Sequence, residues 1–143
     1  MLKTVEIAAE NFCIHQIREN HTVTEGVSKK KTFIAYIDIE TFDSKKHRVY
    51  IASDTNFMQK ISKLFLEEDE SDEETLIDMT LETANLIIGS AKVIAEELNK
   101  NPYTISTPHF VKIDTFDLEF DEIKSIQLTK EETITVAIKE IDA

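Results

Sequence analysis

One cysteine, Cys13, stands among 143 residues. It excludes an internal disulfide framework and fits a reducing compartment, so a cytoplasmic protein is expected. Two glycines and two prolines leave little material for flexible linkers. No GxxxxGK[ST], GxGxxG or GxSxG loop occurs, and two glycines could not build one. No apolar run reaches the ~18 residues of a membrane-crossing helix. No charged n-region precedes an apolar h-region, so no signal peptide is expected. His15, His21, His47 and His109 are scattered without HxxxH spacing, so no metal site is expected. Cationic residues are also scarce: 16 Lys and Arg face 28 Asp and Glu, a net charge of -12. That argues against nucleic acid and an anionic membrane as partners, and favours a partner with a local basic feature.

The length, 143 residues, suits a single domain, 1–143, with one core. Val5, Ala8, Ala9 and Phe12 lie at helical spacing and predict a helix over Lys3 to Cys13. Residues 14–31 stay open between helix, strand and loop. Lys29, Lys30 and Lys31 read as a solvated turn rather than a phosphate contact. The β-branched and aromatic run Thr32 to Phe42 predicts a strand, and Arg48 to Ser53 its hairpin partner. Asp54 is placed to cap a helix running to about Leu66, with Phe57, Ile61, Leu64 and Phe65 inward. The acidic run Glu67 to Glu74 lacks the alternating spacing of a calcium loop and reads as a helix–helix connection. Ser71 and Glu74 have the spacing of a capping box. Three strands are predicted near the end: His109 to Thr115, Glu122 to Thr129 and Thr133 to Ile141. Helix and strand signals are segregated rather than alternating, which points to an α+β fold.

The longest helical signal runs from Asp72 to about Asn99. At about 100° per residue, Asp78, Glu82, Asn85 and Gly89 fall within an arc of roughly 60°. Leu76, Ala84, Ile87, Ala91, Ile94 and Leu98 centre on the opposite, core-facing side. Ile77, Leu81, Leu86 and Val93 flank the polar stripe, which is more apolar than a solvated face usually is. A carboxylate and a carboxamide one turn apart, flanked by apolar residues, suggest a docking surface with chemistry at its centre. Glu82 also reads as one more solvated helix acid, and Asp78 as an acid favoured near a helix N-terminus. Asn85 is harder to place structurally, because Asn is a weak helix former away from caps. Gly89 costs about 1 kcal/mol relative to alanine in mid-helix. Close approach of a partner, or of a second helix, would account for it. Pro108 also reads as the entry to a strand.

Asp78, Glu82, Asn85 and Pro108 are separated by three, two and twenty-two residues. An acid, Glu, Asn and Pro at this spacing resemble the signature of the CheC/CheX/FliY family of chemotaxis phosphatases. The segment ETANLIIGSAK also resembles that family's sequence around the signature. A lone Glu-x-x-Asn arises by chance about 0.3 times in such a chain. Glu96 to Asn99 is a second instance without the acid and the proline. One full copy and no internal repeat make the chain most similar to the CheX branch.

The resemblance implies a CheC-like α+β fold, with long helices packed on a largely antiparallel sheet. It implies a phosphatase acting on the aspartyl phosphate of a phosphorylated CheY-like response regulator. It gives the catalytic roles to Glu82 and Asn85 and puts Asp78, Leu81, Leu86, Gly89 and Pro108 at the partner surface. It implies no cofactor of the chain's own, with Mg2+ carried by the regulator, and a homodimer joined through the sheets. The alternative is a non-enzymatic module that binds a response regulator or a flagellar switch component. Loss of the Glu or the Asn would mark that module, and both residues are present.

Overall fold

The computed structural model describes residues 2–26, 29–98 and 101–141. Among them are helices α1 (Lys3–Asn11), α2 (Thr55–Leu66) and α3 (Glu73–Glu97). The strands are β1 (Thr22–Thr24), β2 (Thr32–Thr41), β3 (Lys46–Asp54), β4 (Tyr103–Ile105), β5 (His109–Asp114), β6 (Glu122–Thr129) and β7 (Glu132–Ile141). They form one sheet in the order β1-β6-β7-β3-β2, with β4 and β5 sharing the outer edge of β2. Every pairing is antiparallel.

Strand β2 is apolar on both parities because both of its faces are covered. Phe33, Ala35, Ile37 and Ile39 point into the main core, which holds the helices. Ile34 points the other way, to a smaller cluster with Ala52, Ile123 and Ala137 under Phe116. Strand β7 behaves alike: Ile134, Val136 and Ile138 join the main core and Ala137 the smaller one. The helices lie on one face of the sheet, with α3 packed against α1, α2 and β2. The α+β architecture expected from the segregated signals is the one observed.

Several local expectations need correction. The first helix stays α-helical only to Asn11 and continues as a π-helical segment, Phe12–Ile17. The Arg18 N–H donates to the Cys13 carbonyl at 2.8 Å, and Arg18 turns left-handed at φ 63°. In α2, Phe57 and Ile61 are inward, but Leu64 and Phe65 are 46% and 39% exposed. The last turn of α2 therefore lies largely outside the core, although the Phe65 ring still edges onto Phe12 at 6.2 Å. Strands β1 and β4, three residues each, were not separately predicted.

Asp54 is the predicted cap of α2, and it does more. One carboxylate oxygen accepts from Phe57 N–H at 2.9 Å and the other from Thr133 N–H at 3.0 Å. Burial pushes its carboxyl up to about 6, against the pull of those two donors. The start of α2 is thereby tied to the start of β7.

Candidate functional site

The rotation of α3 about its axis is set where it begins. Gln59 of α2 holds the backbone of Ser71 from both sides: its amide donates to Ser71 O and accepts from Ser71 N–H, each at 2.9 Å. Ser71 Oγ is used by Ser62 and Glu68. Ser71 is thus buried and occupied, so it does not cap the helix as its spacing predicts. The cap falls one residue later, where Asp72 accepts from Thr75 N–H at 2.8 Å. Within the helix, Thr80 is buried and donates to Leu76 O at 2.8 Å, so this hydroxyl is paired without a partner from another element.

With that rotation fixed, Leu76, Ala84, Ile87 and Ala91 are buried on the sheet side. Asp78, Glu82 and Asn85 are exposed, and Gly89 is half-buried. Among the described residues, Asp78, Glu82 and Asn85 have no hydrogen-bond or ion-pair partner. Three polar side chains at successive helical turns are therefore free to meet something else. Ile77 and Leu81 are half-buried beside them, while Leu86 and Val93 are 42% and 51% exposed. Ile94 is half-buried, and Leu98, predicted for the core, is exposed at the C-cap, beyond the last helical turn. The expected helix end at Asn99 lies outside the described residues.

Gly89 separates the two readings of its missing side chain. A Cβ built there meets nothing within 4 Å. No neighbouring helix of the described chain needs the space, so the close-packing reading fails within the subunit.

Pro108 is half-buried between β4 and β5. Those two strands are one edge strand with a break. Ile105 pairs with Ile39, Ser106 exchanges hydrogen bonds with Asp38, and His109 pairs with Tyr36. Thr107 and Pro108 together oppose the single residue Ile37. A proline cannot donate to a ladder, and a break at a sheet edge accommodates that. Both β4 and β5 lie against α3, as the long spacing from Asn85 to Pro108 requires of a shared site.

A cleft of about 370 Å3 opens beside Asn85, between the π-helical segment and α3. Its walls include Phe12, His15 and Gln16 on one side, and Leu86 and Ser90 on the other. Sequence reasoning gave no role to the first wall.

Chemistry elsewhere is sparse. Burial, followed by Glu10 and Glu19, pushes the Cys13 thiol up to about 12, so it is inert as a nucleophile. Among the described residues, no group of three or more His, Cys, Asp or Glu is placed to hold a metal ion. No helix among them is long and apolar enough to cross a membrane.

A three-helix layer on an antiparallel sheet is a fold shared with solved chemotaxis proteins. CheX from Vibrio vulnificus superposes with a TM-score of 0.74 at 15% identity, covering 95% of this chain and 97% of that one. CheX from Desulfovibrio desulfuricans gives 0.71 at 18% identity, covering 98% of each chain. A chain from the CheX–CheY–BeF3–Mg2+ complex of Borrelia burgdorferi gives 0.69 at 15% identity, covering 97% of each. At such identities the likeness is one of fold. Residues 35–134 match the family model of chemotaxis phosphatase CheX, so the chain belongs to the CheX family. No curated protein matches the sequence closely enough to add to this.

Proposed function

We propose that this protein hydrolyses the aspartyl phosphate of a CheY-like response regulator, with Glu82 and Asn85 as its catalytic pair. The observation that carries the reading is the pair itself: two exposed, unpartnered side chains one turn apart on α3, in a chain of a phosphatase family. The CheX–CheY complex among the relatives of like fold supports the choice of partner.

Hydrolysis needs a water held in line with the P–O bond, and charge handled on the transferring phosphoryl group. The Asn85 carboxamide supplies both contacts: its oxygen accepts from the water, and its N–H2 donates to a phosphoryl oxygen. The water oxygen forms the new bond to phosphorus, and the bond to the aspartyl oxygen breaks. The products are inorganic phosphate, released as dihydrogen phosphate with both protons of the water, and the free carboxylate. Glu82 pairs with a lysine of the regulator and fixes the register of the two surfaces. Asp78, Leu81, Leu86, Gly89 and Pro108 complete the surface that the regulator meets. The chemistry asks neither Glu82 nor Asn85 to gain or lose a proton, so catalysis is by positioning. Mg2+ belongs to the regulator in this reading, and the chain carries no cofactor of its own.

The protein acts in the cytoplasm, where such regulators reside, and as a homodimer joined through its sheets. The exposed Phe120 and the half-buried Tyr50 and Leu118 beside the smaller cluster support a covered far face. Light scattering should give twice 16.4 kDa, and a 16.4 kDa particle at micromolar concentration would remove the dimer. The function is tested by phosphate release from a phosphorylated CheY-like regulator with and without this protein. Equal rates would leave only a binding module.

A further inference from the structure

We propose that the cleft between the π-helical segment and α3 is a second anchor for the regulator, taking one of its apolar side chains. The inference rests on the phosphatase reading of α3 and adds a surface that the signature does not contain.

Four observations converge on it. First, Phe12–Ile17 adopts the π form, which is rare and frequently found at functional sites. Here the wider turn keeps Phe12 and Ile17 buried while Ile14, His15 and Gln16 face outward. Second, the volume of about 370 Å3 lies at the small end of ligand sites and suits an inserted side chain. Third, the α3 wall is made by Leu86, Ile87 and Ser90, of which Leu86 and Ser90 directly follow the proposed site positions Asn85 and Gly89. Gly89 adds no side chain beside Ser90, and a Cβ there would meet nothing within 4 Å. Fourth, the charges are segregated. Asp78 and Glu82 lie toward the start of α3, whereas the cleft walls carry no carboxylate, lysine or arginine. A regulator whose basic group meets Glu82 therefore presents a neutral neighbour to the cleft.

Catalysis by positioning explains why two anchors are needed. Contacts along the α3 stripe alone leave the regulator free to rock about the helix axis. A second contact on the other side of Asn85 removes that freedom and fixes the water in line.

Ser90→Trp and Gln16→Trp would each fill the cleft from an exposed position, one from either wall. Lys130→Trp, in the turn between β6 and β7, controls for the added indole. Binding is measured by calorimetry with a BeF3-activated CheY-like regulator, and turnover separately by phosphate release. Melting temperatures check the fold. Both cleft variants should melt like wild type and raise Kd at least about tenfold, the scale of one lost anchor. kcat/KM should fall by at least as much, and Lys130→Trp should change neither. Wild-type Kd in both folded cleft variants would overturn the cleft while leaving the phosphatase reading intact. A wild-type protein that binds without releasing phosphate, and loses binding in both variants, would do the reverse. A wild-type protein that does not bind would overturn both.

Discussion

The two sides of α3 obey different rules. On the sheet side, Leu76, Ala84, Ile87, Ile88 and Ala91 are at most 3% exposed, and each is held by neighbours. On the other side, Asp78, Glu82 and Asn85 touch no partner among the described residues, and Gly89 faces open space. Fold stability accounts for the first set, residue by residue. It gives no account of the second, where a leucine stands 42% exposed and a glycine breaks helix propensity. Side chains that stability does not explain are where function is best sought.

The largest expected effect tests the buried side. Ile88→Ala should cost about 2–5 kcal/mol of stability, as truncation in a closed core does. Turnover per folded molecule should stay near wild type in a denaturant-calibrated assay. A specific activity that fell with the melting temperature unchanged would put Ile88 on the wrong side of the comparison.

Charge reversal on the exposed side comes next. Glu82→Lys should set like charges against each other and weaken regulator binding by several kcal/mol, with the melt unmoved. An unchanged dissociation constant by calorimetry would take Glu82 out of the interface. Asn85→Ala should then lower dephosphorylation about 10²-fold, or ~2.7 kcal/mol, while binding barely changes. Near wild-type phosphate release would end its role with the attacking water.

The smallest effect sharpens the comparison most. Gly89→Ala should raise stability by about 0.5–1 kcal/mol, since the new methyl meets nothing within the subunit. Binding and turnover should fall if the regulator approaches closely there. A more stable mutant with full activity would return Gly89 to ordinary solvated surface.

The sequence made α3 legible because its apolar period is long and its polar stripe narrow. The strands of the sheet were legible for a similar reason: β2 and β7 are ten residues each, most of them β-branched or apolar. The π-helical segment was not. The wider turn follows no period of its own in the sequence, and Phe12 meets Phe65, a residue of another helix, which no local pattern records. The cap of α3 was misplaced by one residue because Gln59 claims Ser71 from across the helix connection. Strands of three residues, such as β1 and β4, are too short for a period to register. One wall of the cleft rests on that π-helical segment, so the α3 stripe and Pro108 could be read in advance and that wall could not.

The place of β7 in the sheet carries a consequence for how the chain is made. β3 lies between β2, its hairpin partner, and β7, with Ser53 paired to Ile134. A nascent chain therefore releases α3, with Glu82 and Asn85 on it, long before the strand that closes the middle of the sheet. Until β7 emerges, β3 has an open edge and Asp54 lacks the Thr133 N–H it accepts from in the finished fold. Loop closure over that separation must be paid before the pairing rewards it, which slows the last step and prolongs exposure of a sticky edge. The helix that bears the chemistry, and its packing partners α1, α2 and β2, are thus synthesised before the sheet beneath them is closed.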